Sequence, residues 1–517
     1  MKKIIALLLA LMLVLSLSAT AFAADATETI SVKSTDSHKY EVFQIFTGTL
    51  SEDGKLGSVA LRQNGKLPEG ATIESALAAL SALNSASDTE KLAEAVKYLD
   101  DTKPSMGTVD KSNSLDVEPG YYLLKDVTTD LPSGEDYTET RSLYILQVVK
   151  DVTIEGKYKK VVSEKKVYDI NDTTGDTEGR EDSADYDIGD RVKFELIGKL
   201  PEDYDSYNTY FLAFHDTCAP GLTFDEESKN TMVVKVDGVV INSGYEIITE
   251  GMDDNCTFEV VFEDAKAVNA IKKNSVVTVE YTAVLNQNAV IGSAGNRNSM
   301  HLEFSNDPNY VGGGEPGDDT PPPPPPPTDE TPKDTVVVFT FQIDVDKVDE
   351  DKQPLVGASF TLYKKVLTPT GTAGTDYITE TTGEGEDAVT TYWQIIGTIA
   401  GTNSSDFTWN GVDDGDYRLV ETVTPPGYNT MDPIDFSITA KHDADSADPH
   451  LTELNGGNLG AGNVNTGVIY AKIENLPGTL LPSTGGIGTT IFYLIGGILV
   501  LAAVVMLVTK KRMASAE

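Results

Sequence analysis

Tyr417-Arg-Leu-Val-Glu-Thr-Val-Thr-Pro-Pro-Gly-Tyr428 alternates apolar and polar residues and stops on a Pro-Pro-Gly turn. A period of two is that of a strand with one face in a core. Tyr417, Leu419, Glu421 and Val423 share that face, so the stretch aims a carboxylate into an apolar interior. Two other segments carry the same anomaly. Lys347 shares parity with Ile343 and Val345, and Asn475 shares parity with Ile469, Ala471 and Ile473. A lysine, a glutamate and an asparagine thus fall on three apolar strand faces of one domain-sized region.

Working outward, the region before it repeats the arrangement. Asp216 aligns with Leu212 and Phe214, and Asn298 aligns with Met300, Leu302 and Phe304, with Asn296 as the alternative. Lys165 shares parity with Val161 and Val167, whereas the alternative, Lys166, goes with Val162 and Tyr168. Short β-branched segments recur at Ser142–Val149, Met232–Val240, Thr257–Phe262 and Ser275–Leu285. One helical patch, Ile73–Leu99, interrupts them. These features predict a mainly β fold of tandem immunoglobulin-like β-sandwiches, with a helical insertion in the N-terminal domain. The expected domains are 24–156, 157–311 and 334–476. Between the last two lies a Pro-rich linker, 312–333, whose Pro321–Pro327 run favours a polyproline rod of roughly 20 Å.

The length of 517 residues fits about three domains. A net charge of −41, from 40 Lys+Arg against 81 Asp+Glu, leaves no basic surplus for phosphates and argues against nucleic acid. The only cysteines are Cys218 and Cys256, so a disulfide scaffold is excluded, although one bridge between them is chemically permitted in an exported chain. The five histidines fall in no metal-binding or nucleotide pattern, and no catalytic Ser/His/Asp or Cys/His set converges; neither metal nor cofactor is expected.

Both ends read as processing signals. Residues 1–23 have a Lys2-Lys3 start, an apolar run and Ala21-Phe22-Ala23, the pattern of a cleaved signal peptide. Residues 477–517 present Leu481, Pro482, Ser483, Thr484 and Gly485, then an apolar transmembrane segment, 491–508, then Lys510, Lys511 and Arg512.

This last order resembles the LPxTG cell-wall sorting signal of Gram-positive surface proteins. Three stretches extend the resemblance to sortase-assembled major (backbone) pilins. His38–Gly48 and Val117–Leu124 resemble a pilin N-terminal domain. Glu164–Asp169, His215–Phe224 and Gly295–Leu302 resemble a fimbrial isopeptide-forming domain, and Asp346–Asp349, Leu355–Tyr363 and Tyr417–Tyr428 a Cna-B-type domain. The resemblance implies that sortase cleaves between Thr484 and Gly485 and joins Thr484 to a lysine of the next subunit. It also implies internal Lys–Asn isopeptide bonds: Lys165 with Asn298 beside Asp216, and Lys347 with Asn475 beside Glu421. Related pilins place the joining lysine in a Pro-Lys motif; here Gly156-Lys157 stands in that position, with Lys159 and Lys160 as alternatives. The implied protein is a structural, non-enzymatic shaft subunit of a wall-anchored fimbrium. Its partners would be sortase, identical subunits, minor pilins, peptidoglycan and a host-surface ligand. The alternative is a wall-anchored adhesin or minor pilin that does not polymerise.

Overall fold

The computed structural model describes residues 27–51, 55–83, 85–86, 88–142, 144–148, 150–252, 254–310, 326–384, 388–478 and 487–513. The expected signal peptide, the Leu481–Gly485 motif and most of the Pro-rich tract lie outside them.

The fold is mainly β. The first domain has two small sheets, one built on strand Tyr40–Leu50 and one on Glu28–Val32, which pairs in parallel with Val152–Ile154. Its helical patch divides into helices Ile73–Ala82 and Asp88–Ala95. Thr72 caps the first, its hydroxyl accepting from Ser75 N at 3.2 Å. The first ends at Ala82 and the second begins at Asp88. Its long strand buries Tyr40, Val42, Phe43, Ile45 and Phe46 between the sheets and the helices.

The second domain packs an eight-stranded sheet on a seven-stranded one, and the third a four-stranded on a six-stranded one. Two sequence expectations are corrected. The expected single strand Met232–Val240 is a hairpin, Val233–Val236 and Val239–Ile241, because Asp237 (φ 50°) and Gly238 (φ 80°) form a primed turn. The boundary at 334 also shifts. Strand Asp334–Phe339 pairs antiparallel with Asn296–Ser305, and so does Thr328–Glu330. The Pro-rich tract therefore connects paired strands of one sheet instead of joining two domains. Val336 and Val338 pack into the second core while Val337 and Phe339 pack into the third, so the strand belongs to both interiors. The third domain proper begins at Phe341.

Charged groups reinforce that junction. Lys364, 1% exposed, donates to Asp172 Oδ2 at 3.1 Å, to Asp187 Oδ2 at 2.8 Å and to Asp413. His442 lies 3.3 Å from Asp169 and 3.6 Å from Asp185. At the far end, helix Ile487–Met513 contains a span, Tyr493–Lys511, long and apolar enough to cross a membrane, with mean hydropathy 2.2.

Candidate functional site

In the third domain Lys347, Glu421 and Asn475 meet. Lys347 stands on strand Phe341–Val348 and Glu421 on Gly415–Val423; Asn475 directly follows Val468–Glu474. Parallel pairing sets Lys347 opposite Ile473, so Asn475, two residues on, lies on the same face. Lys347 Nζ donates to Asn475 Oδ1 at 2.5 Å and to Ile473 O at 3.3 Å. Asn475 Nδ2 donates to Glu421 Oε1 at 2.8 Å, and Glu421 Oε2 accepts from Met431 N at 3.0 Å. Burial, only partly opposed by Glu421 and Glu474, pulls the Lys347 pKa down to about 8. Roughly a tenth of that amine is therefore uncharged at pH 7.

The second domain assembles Lys165, Asp216 and Asn298, each 0% exposed, on strands Lys160–Ile170, Leu212–Cys218 and Asn296–Ser305. Lys165 Nζ donates to Asp216 Oδ2. A fourth residue joins them: Tyr281 OH accepts from Lys165 Nζ at 2.9 Å and from Asn298 Nδ2 at 2.7 Å. Asn298 Oδ1 is buried and finds no donor among the described residues. Burial raises the Asp216 pKa, with Lys165 working against it. Both open alternatives separate here. Lys166 reaches out to Asp182 at 2.6 Å. Asn296 is consumed by backbone, bonding Val290 N at 2.8 Å and Val290 O and Val338 O at 3.1 Å each.

Sequence reasoning missed Tyr281. The signal was present: Val277, Val279, Tyr281, Ala283 and Leu285 share the inward parity of strand Val276–Leu285, placing a hydroxyl on an apolar stripe.

Lys157 is exposed at the first domain junction, on a segment fastened from both sides. Gly156 N donates to Asp36 Oδ2 at 2.8 Å, and Lys157 N donates to Ser142 Oγ at 2.7 Å. Tyr158 stacks on His38 with centroids 4.1 Å apart. His38 is fully buried, its Nδ1 2.6 Å from Asp126 Oδ2 and its Nε2 3.2 Å from Glu139 Oε2. Burial opposes the His38 cation, but Asp126, Glu139 and Asp36 outweigh it and raise its pKa. Glycine at 156 has a local cause: proline would lack the N–H given to Asp36, and a Cβ would collide with the Tyr40 hydroxyl. Lys159 instead pairs with Glu202 at 3.0 Å, and Lys160 lies 3.5 Å over the Tyr137 ring.

The cysteines are free thiols, which corrects the permitted bridge. Cys218 Sγ lies 3.6 Å from Asp216 Oδ1 on the core face, whereas Cys256 Sγ lies 3.6 Å from Glu259 Oε1 on the opposite face. The sheet stands between them.

Comparison with known proteins matches residues 341–448 to the SpaA prealbumin-like fold domain. The matched stretch lies within the third domain. The first residue of the match, Phe341, is also where the strand pairing of the third domain begins. Over a longer stretch the chain is similar to the trypsin-resistant surface T6 protein of Streptococcus pyogenes serotype M6, 23% identical over 374 residues. That match covers 63% of this chain and 65% of the T6 protein, so the chain spans about two thirds of that relative's length. Among solved structures, the T6 backbone pilin of the same organism, described as a modular three-domain structure, aligns with TM-score 0.51 and 16% identity over 89% of this chain and all of that one. The full-length major pilin SpaD of Corynebacterium diphtheriae aligns with TM-score 0.48 and 14% identity, covering 90% and 100%. The modular fold is thus shared with the T6 backbone pilin.

Proposed function

We propose that this chain is a structural shaft subunit of a covalently polymerised pilus on a Gram-positive cell surface, not an enzyme. The observation that carries the reading is the pair of buried Lys–acid–Asn clusters, one in each of two successive sandwich domains. Such groups are costly to bury unless they react or pair, and here they are poised for amide formation. The uncharged Lys347 Nζ attacks Asn475 Cγ; a C–N bond forms, the bond to Nδ2 breaks and ammonia leaves. Glu421, 2.8 Å from Nδ2, takes the proton from Nζ and passes it to the leaving nitrogen. In the second domain Asp216 does this for Lys165 and Asn298, and Tyr281 aligns both. Burial raises the Asp216 pKa, so once it holds the proton taken from Lys165 Nζ the carboxyl can polarise the Asn298 carbonyl before that proton passes to the leaving nitrogen. Fixed geometry replaces an external catalyst.

Sortase would cleave after Thr484 and transfer its carboxyl to Lys157 of the next subunit, with minor pilins and peptidoglycan as further partners. The network of His38, Asp126, Asp36 and Tyr158 holds the Lys157 segment in place for that transfer. Deletion of the amine tests it: Lys157→Ala in the native host should collapse the high-molecular-weight ladder on denaturing gels to monomer. A ladder that persists places the joining lysine elsewhere, and a wild-type chain without a ladder favours the non-polymerising adhesin.

A further inference from the structure

On the outer face of the second domain, opposite Asp216, four side chains converge. His215 comes from strand Leu212–Cys218, Glu259 from the adjacent strand Phe258–Phe262, and Asp254 and Cys256 from the segment leading into it. His215 Nδ1 is 3.0 Å from Asp254 Oδ2 and 3.5 Å from Glu259 Oε1, and Cys256 Sγ is 3.6 Å from the same Oε1. One ligand atom from each lies within 4.8 Å of all the others. Ligands at about 2.0 Å (N, O) and about 2.3 Å (S) from a tetrahedral zinc ion stand about 3.3–3.5 Å apart, so the spacing needs little adjustment.

We infer that His215, Asp254, Cys256 and Glu259 form a binding site for a Zn²⁺ ion. The donor set decides the class of ion, since a thiolate and an imidazole suit zinc and not the all-oxygen shells of calcium or magnesium.

Two features outside the four ligands point the same way. Coordination through Nδ1 places the His215 proton on Nε2. That buried nitrogen makes no hydrogen bond among the described residues, but Glu303 Oε2 lies 3.5 Å away, positioned as the carboxylate that orients a metal-bound imidazole. Asn255 takes a left-handed conformation (φ 62°), which turns Asp254 and Cys256 to the same side, and Cys256 N donates to Asp254 Oδ1 at 3.0 Å. Cys256 is buried and unbridged, while Asp254 is 35% exposed and offers the entry path. The ion would pin the segment before strand Phe258–Phe262 to strand Leu212–Cys218. The amide-forming cluster lies on the other face of that strand and shares no residue with it.

The test uses the full-length chain in detergent, stripped of metal and kept reduced, titrated with Zn²⁺ by calorimetry and with Co²⁺ by absorbance. One equivalent of each should bind, and the Co²⁺ form should show a thiolate charge-transfer band with intense tetrahedral visible bands, both erased by Zn²⁺. Cys256→Ala should abolish the charge-transfer band, and His215→Gln should weaken Zn²⁺ by at least about tenfold. Cys218→Ala should change neither. Wild-type chain that binds Zn²⁺ no more tightly than His215→Gln, or a band that survives Cys256→Ala, would overturn the site. The wild-type spectrum stands as evidence whether or not the variants fold.

Discussion

Two lysines of the third domain are almost wholly buried, and their surroundings drive them in opposite directions. Lys347 meets an amide oxygen and a backbone carbonyl, with a single carboxylate held behind the amide. Burial dominates and its pKa falls to about 8. Lys364 meets three carboxylates, Asp172, Asp187 and Asp413. Burial alone would lower its pKa as well, yet the surrounding acids hold it well above the usual lysine value. Burial therefore does not by itself make a nucleophile: the number of facing carboxylates separates a reactive amine from a permanent cation. The account assigns Lys347 to covalent cross-linking and Lys364 to an ionic clamp between the second and third domains.

The largest effect that could break this contrast is loss of the cross-link. An amide between residues 128 apart closes a loop whose chain-entropy contribution is about 4–5 kcal/mol. Asn475→Ala should lower stability by about that amount in denaturant unfolding, and a variant as stable as wild type would remove Lys347 from its role. Next comes Lys364→Met. It leaves the buried Asp413 and the half-buried Asp187 without their cation, which costs about 3–5 kcal/mol, while the mass signature of the amides stays intact. A neutral result would show that the clamp contributes nothing.

Smaller still is a pH effect. In the unbonded Asn475→Ala chain, Lys347 holds its proton less tightly when folded than when unfolded. The unfolded chain thus binds more protons between about pH 8 and about pH 10, and stability rises with pH across that window by about 1 kcal/mol per unit. If the Lys347 nitrogen of wild type is an amide, as proposed, wild type should lack this increment; equal slopes in the two proteins would contradict it.

Much of the site was legible because strand parity is local. Lys347, Glu421 and Asn475 sit on apolar stripes that can be read off in short windows, and the sandwich class follows from the same alternation. The ambiguous positions were those where parity offers two answers, Lys165 or Lys166 and Asn296 or Asn298, and there only the packing of Tyr281, Asp182 and Val290 separates them. The domain boundary was hidden for the opposite reason. Thr335-Val-Val-Val-Phe339 is apolar on both faces because two cores share it, so it carries no parity to read. The support of Lys157 by His38, Asp36 and Asp126, distant in sequence and joined by the fold, has no local signature. The Asp237-Gly238 turn did have one, and it outweighs the β-branched residues around it.

The most direct measurement is the intact mass of the exported chain under denaturing conditions. Two Lys–Asn amides predict a mass about 34 Da below that of the processed sequence, about 17 Da for each ammonia lost, with one loss abolished by Glu421→Ala and the other by Asp216→Ala. A full, undiminished mass would contradict the account.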